Sequence, residues 1–264
     1  MAERLAIIRL QPAVIVDWWS HLGASAALLA QAYPSARRIE VEPETLAARR
    51  IDAARRPWWS PQRWAGAPVS VQPESAALPS DAQLVWANMM LHAVSDPPAL
   101  FARWQAALGV GGFVMFSCLG PGTLRELRAL YARLGWPAPT PTFVDMHDLG
   151  DMLVQAGFAD PVMDQETITL RWDDAGALLR ELRTLGGNAS PARHAGLRTP
   201  RWRARLLREL EALAGPDGKP ALRFEVAYGH AFRAAPRLRP GEATKVSLED
   251  MRAMVRSGRA NPSR

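Results

Sequence analysis

The chain has 264 residues, 48% hydrophobic and 22% charged, the proportions of an ordinary globular protein, which exclude a disordered, collagen-like or coiled-coil reading of the whole. Its 32 basic and 26 acidic side chains leave a formal charge of +6, and only Lys219 and Lys245 are lysines, so the excess is arginine. These arginines are interleaved with acids, as in Arg125-Glu126-Leu127-Arg128, rather than gathered into the basic stripe that nucleic-acid binding requires. The single cysteine, Cys118, excludes an internal disulfide and a cysteine-built zinc cluster. The charged N-terminus (Glu3, Arg4, Arg9) does not fit a secretory leader, and no apolar run of about 18 residues is present, so a cytoplasmic protein with no membrane span is expected.

The elements alternate along the chain. A first strand is predicted over 13–17, then a helix over 22–33 with Leu22, Ala26, Leu29 and Ala30 on one face. A second strand over 38–42 is followed by a helix that Pro43 opens and that runs to Arg55. Residues 57–79, rich in Pro, Trp and Ser, read as a loop around one weak strand at Val69 and Val71. Strong apolar strands at 84–88 and 113–118 flank a helix that Asp96 caps and Pro97 and Pro98 begin, with Gly111-Gly112 as the turn between.

Beyond a Gly-Pro-Gly turn, helices are predicted over 124–134, 146–156, 173–185 and 200–214, and strands over 162–172 and 222–232. Thr123 is read as the cap of the first of these helices, and Gly157 as the C-terminal stop of the second. Buried strands between helices point to a mostly parallel sheet covered on both faces. Residues 235–264 form a tail with seven basic and three acidic side chains and a short capped helix from Ser247.

Asp17, Glu42 and Asn88 each close a predicted strand, the place where an open α/β sheet binds nucleosides. A carboxylate after the second strand can accept both ribose hydroxyls. His147 with Asp148 and Asp151 on one helix lacks a second ligand cluster, so no metal site is expected, and no G-x-G-x-x-G follows the first strand to bind a nicotinamide dinucleotide.

Five segments carry a resemblance. LVWANMMLHAVSDPPALFARW, GGFVMFSCLGPGTLREL, FVDMHDLGDMLVQAGFADPVM, ITLRWDDAGALLRELRTLGGNA and LRFEVAYGHAFRA, in this order between about residues 78 and 234, are similar to those of the malonyl-acyl carrier protein O-methyltransferases of biotin synthesis. The first and third recur widely in class I methyltransferases, whereas the fourth is specific to the biotin family. The resemblance implies a Rossmann-like class I fold with a seven-stranded sheet. It implies S-adenosylmethionine as cofactor and malonyl-acyl carrier protein, an acidic partner, as substrate.

The substrate carboxylate is then its own nucleophile, so catalysis reduces to alignment and exclusion of water. His92 is the one candidate catalytic residue, near the cofactor sulfonium by family position. The resemblance assigns the cofactor to Asp17, Trp19, His21, Gly23, Glu42, Glu74, Asn88 and Met89, with Glu74 on the adenine side. Arg183, then Arg180, is the candidate counter-charge for the substrate carboxylate, and Thr123 lies at the mouth of the substrate pocket. The division expected is one domain over 1–234, with a cofactor half to 118 and a substrate half from 119, plus the tail.

Two departures from the family stand out. The Gly-x-Gly-x-Gly row that follows the first acid reads Trp19-Ser20-His21-Leu22-Gly23 here, with glycine kept only at the third place. The family's N-terminal helical lid, with its tyrosine, finds no counterpart in the short stretch before the first strand. These departures carry the alternative of a methyltransferase fold that has lost cofactor binding and serves as a carrier-protein-binding or regulatory partner. The tryptophan pair at 58 and 59 is a further candidate to pack against Trp18 and Trp19.

Overall fold

Strand β1 (Val14–Trp18) is buried along four of its five residues and β4 (Ala82–Ala87) along five of six, so both faces of the sheet they form need covering. The computed structural model describes residues 1–5, 8–53 and 69–235. It joins β1 and β4 with β2 (Arg37–Glu42), β3 (Val69–Pro73), β5 (Leu108–Leu119), β6 (Phe158–Arg171) and β7 (Ala221–Arg233) in one sheet of order β3-β2-β1-β4-β5-β7-β6. The pairings from β3 through β5 are parallel, and β7 runs antiparallel to both its neighbours. The chain winds outward one way through β2 and β3 and the other way through β4 and β5. The order therefore reverses between β1 and β4, where an open sheet has its crevice.

Alternation along the strands divides the core. Val16, Val85, Val114 and Phe116 face one side with Phe101 and Trp104 of helix α5 (Pro97–Ala107). Ile15, Leu84, Trp86, Phe113 and Met115 face the other with Leu29 of α3 (Ser25–Ala32), as the two-residue period of a strand requires. A third apolar cluster joins α6 (Arg125–Arg133), α8 (Ala175–Thr184) and α9 (Pro200–Glu211) to Leu222 and Phe224 of β7. Val226 of β7 pairs with Leu119, the last residue of β5, so Ala221–Glu225 project past the carboxyl end of β5 and carry this cluster above that edge. The remaining helices are α1 (Ala2–Leu5), α2 (Ser20–Gly23), α4 (Glu44–Ala53) and α7 (Met146–Gln155).

Several expectations are corrected. The single helix over 22–33 is two, α2 and α3, broken at Ala24, whose φ of 48° lies in the left-handed region. Gly111-Gly112 does not end a connection but lies inside β5, which is continuous from Leu108. Thr123 does not cap α6: its N-cap is Leu124, at φ 53° and without a side-chain cap. The strand expected from Val162 begins at Phe158. Asp96, Asp174 and Thr199 cap α5, α8 and α9 through Ala99, Ala177 and Trp202. The tryptophan pair at 58 and 59, the end of the second helix at Arg55 and the tail beyond residue 235 lie outside the described residues.

Candidate functional site

Asp17, Glu42 and Glu74 lie at the carboxyl ends of β1, β2 and β3. Asp17 is 1% exposed; its Oδ2 accepts from the Ser25 hydroxyl at 2.7 Å, while Oδ1 is buried without a partner. Burial pushes its carboxyl up to about 7, opposed by the Ser25 hydrogen bond and reinforced by nearby Glu40. Glu42, fully buried at the end of β2, accepts from Ser20 Oγ at 2.7 Å and pairs with His21 Nδ1 at 2.5 Å. Arg50 of α4 donates to Glu42, Glu40 and Ser20, so one guanidinium serves two buried carboxylates.

Trp19 occupies the left-handed region at φ 53°, ψ 51°, a backbone conformation that glycine adopts without cost. The loop thus keeps the glycine conformation with an indole in place. Trp19 Nε1 donates to Glu74 Oε1 at 2.8 Å, and the Glu74 N–H returns to the Glu42 carbonyl at 3.0 Å. Glu42 and Glu74 are therefore each engaged by a residue of the loop that follows β1.

The other half of the cleft is open. Gly23 presses against Asn88, where an added Cβ would come within 2.7 Å of the Asn88 Cβ. Asn88 Nδ2 donates to the Gly23 carbonyl at 3.0 Å, and Asn88 Oδ1 accepts from Ser117 Oγ at 2.7 Å. The Met89 N–H donates to the same Ser117 Oγ at 3.0 Å, and Met89 sits at φ 54°. A cavity of about 320 Å³ lies against Gly23, Ser25, Asn88, Met89, Ser117 and Tyr228.

Sequence reading missed Ser117 and Tyr228, since one lies in a wholly apolar strand and the other reaches the cavity from β7. Tyr228 donates to Glu166 and lies under Arg4, 4.4 Å from guanidinium carbon to ring centroid; Arg4 in turn pairs with Asp164. The short α1 is thereby tied to the antiparallel pair β6 and β7 beside the cavity.

His92 lies in a 3₁₀ turn, Leu91–Ala93. Its Nδ1 accepts from the Leu119 N–H at 3.3 Å and its ring meets Phe143 edge-on. Burial lowers its pKa to about 4, so the imidazole is neutral at pH 7. Thr123 is fully buried and exchanges two hydrogen bonds with the Glu225 backbone. Glu225 in turn accepts from the Gly122 N–H, and its carboxylate fills the space that side chains on Gly120 and Gly122 would take.

Arg180 and Arg183 do not join the cleft. Both are exposed on α8, and Arg183 borders a separate groove between α6, α8 and α9. Cys118 is buried, which pushes its thiol up to about 12. Among the described residues no group of three or more His, Cys, Asp or Glu is placed to hold a metal ion, and no helix is long and apolar enough to cross a membrane.

No family model matches the chain. A malonyl-[acyl-carrier protein] O-methyltransferase from Gallionella capsiferriformans is 39% identical over 244 residues, covering 90% of this chain and 83% of its own length. One from Laribacter hongkongensis is 38% identical over 247 residues, covering 90% and 82%. Among solved structures, the YcgJ protein from Bacillus subtilis superposes with a TM-score of 0.57 at 11% identity, over 89% of this chain and 98% of that one. The BH2331 protein from Bacillus halodurans C-125 gives 0.55, also at 11% identity, over 89% and 97%. These two likenesses concern the fold.

Proposed function

The chain belongs to the malonyl-[acyl-carrier protein] O-methyltransferase family, and from this premise we propose that it methylates the free carboxyl of a malonyl group on acyl carrier protein, as a step of biotin synthesis. The observation that carries the reading is 39% identity sustained over 90% of the chain. The comparisons lend no support to the alternative of a fold that has lost its cofactor. Residues 1–234, one compact unit, are taken as the catalytic body, and the cytoplasm as its compartment.

The residues fit S-adenosylmethionine on three counts. An unpartnered buried oxygen of Asp17 stands at the end of β1, Gly23 leaves room only for backbone beside Asn88, and the adjoining cavity is large enough for a small ligand. Asn88, Met89 and the Gly23–Ser25 backbone would hold the amino-acid end, and Glu42 and Glu74 the nucleoside. Bound there, the cofactor supplies an electrophilic methyl group on a sulfonium.

The rest is the work of the chain. The malonyl carboxylate needs no base to become a nucleophile, so no residue has a proton to remove, in keeping with a His92 that stays neutral. The Ser117–Asn88–Gly23 hydrogen bonds fix the ends of β4 and β5 relative to the first loop, and pre-set geometry of this kind replaces translational entropy in the barrier. Buried Phe143, edge-on to His92, and the Glu225-locked turn at 120–123 are placed to exclude water from that region.

The test is mass spectrometry of malonyl-acyl carrier protein incubated with the purified chain and S-adenosylmethionine. A methyl ester on the malonyl group is expected; unmodified substrate, where a family member run in parallel converts it, would refute the reading.

A further inference from the structure

Three arginines of the substrate half, Arg183, Arg198 and Arg203, line a second concave surface. Between residues 191 and 208 the sequence holds six arginines and no carboxylate, and α9 carries four of the six. With α8 and α6 it encloses a groove of about 420 Å³. The floor is apolar: Leu182, Leu206 and the indole of Trp202, whose Nε1–H is buried with no partner. The rim is Arg183, Arg198 and Arg203. Arg198 is laid over the Trp202 ring, 4.5 Å from its centroid, and among the described residues none of the three forms an ion pair with a carboxylate.

Cations left without counter-charge around an apolar floor are complementary to an acidic, amphipathic partner. An acyl carrier protein is such a partner: it is acidic, and it delivers its acyl group on an arm joined through a phosphodiester, itself an anion. The groove is also placed for delivery. One wall is α6, which begins directly after the locked turn at the carboxyl end of β5, and the cluster beneath it rests on the stretch of β7 that projects past that same edge.

We propose that the groove between α6, α8 and α9 is the docking site for the acyl carrier protein, an inference that rests on the function proposed above. Arg183 then meets the carrier's acidic surface rather than the malonyl carboxylate. Arg198, held flat by Trp202, gives a pre-oriented guanidinium that loses little freedom on binding.

Calorimetric titration of the full chain with holo-carrier protein bearing no acyl group reads docking apart from chemistry. The double variant Arg183→Glu, Arg203→Glu is expected to bind the carrier at least roughly tenfold more weakly, with a matching rise in KM for malonyl-acyl carrier protein. Its affinity for S-adenosylhomocysteine should stay at the wild-type value, which also reports that the fold is intact. Arg183→Lys, Arg203→Lys should retain most of the carrier affinity. If the reversal variant does not fold, Arg183→Ala, Arg203→Ala is read the same way. Unchanged carrier affinity and KM in a variant whose wild type methylates the carrier would overturn the docking site and leave the function standing. Wild-type chain that neither binds nor methylates the carrier would overturn both.

Discussion

Trp19 hydrogen-bonds Glu74 and His21 hydrogen-bonds Glu42, and on the proposed function these are the two acids that would receive the nucleoside. On that function, nucleoside binding must displace the His21 hydrogen bond at Glu42 and the indole hydrogen bond at Glu74. The two exchanges together cost about 1–2 kcal/mol net. Trp19→Gly with His21→Gly is accordingly expected to tighten S-adenosylhomocysteine binding roughly tenfold, about 1.4 kcal/mol, measurable by calorimetry; equal or weaker binding would show that the two side chains support the site.

Asp17 gives a second residue-scale test. Its folded pKa is raised to about 7 by burial, so the folded state holds a proton that the unfolded chain releases near pH 4. Stability from this group is full below that pH and is lost as pH rises to about 7, since the unfolded state binds fewer protons throughout the window. As pH rises from 5 to 7, the melting temperature of ligand-free Asp17→Asn should therefore rise relative to that of the wild type measured in parallel at the same pH; the opposite slope from buried His92 is common to both proteins and cancels in the comparison. Cys118, whose buried thiol is pushed up to about 12, should resist alkylation at pH 8 in the folded protein and react once it is unfolded.

At the scale of elements, the turn between β5 and α6 is keyed to β7 through Glu225. Added methyl groups at Gly120 or Gly122 would meet the Glu225 carboxylate. Gly122→Ala should cost about 1–3 kcal/mol in denaturant unfolding, and most of that cost should vanish in a Glu225→Ala background, since the two changes share one contact. Additive losses would mean that the carboxylate does not fill the turn. The key joins residues about a hundred positions apart, which explains why Thr123 reads from its neighbours as a helix cap when its hydroxyl is committed to the Glu225 backbone instead.

The strands β1, β4 and the end of β5 were legible because their apolar residues run unbroken between helices. The break at Ala24 was not, for Gly23 beside it reads as part of the loop row and Ala24 itself, the residue that takes the left-handed conformation, carries no local sign of it. Asp17, Glu42 and Asn88 could be placed from strand ends alone. The pairing of His21 with Glu42, and the arrival of Ser117 and Tyr228 at the cavity, depend on strand order, which no local pattern encodes.

At the scale of the whole molecule there are two separate concavities, a cleft at the carboxyl edge of the sheet between β1 and β4 and an arginine-rimmed groove above that edge, which the proposals above give to the cofactor and the carrier protein. Such a division predicts that added salt weakens carrier-protein binding, because the groove's charges are exposed, more than it weakens cofactor binding beside the buried Glu42. Parallel calorimetric series at low and high ionic strength check this.

The account as a whole depends on the cofactor entering a cleft whose acids Trp19 and His21 already engage. The decisive measurement is titration of the wild-type chain with S-adenosylmethionine. Saturable binding of one molecule per chain, with indole fluorescence changing as Trp19 leaves Glu74, is the predicted result; the absence of saturable binding in the wild type at any attainable concentration would contradict the account.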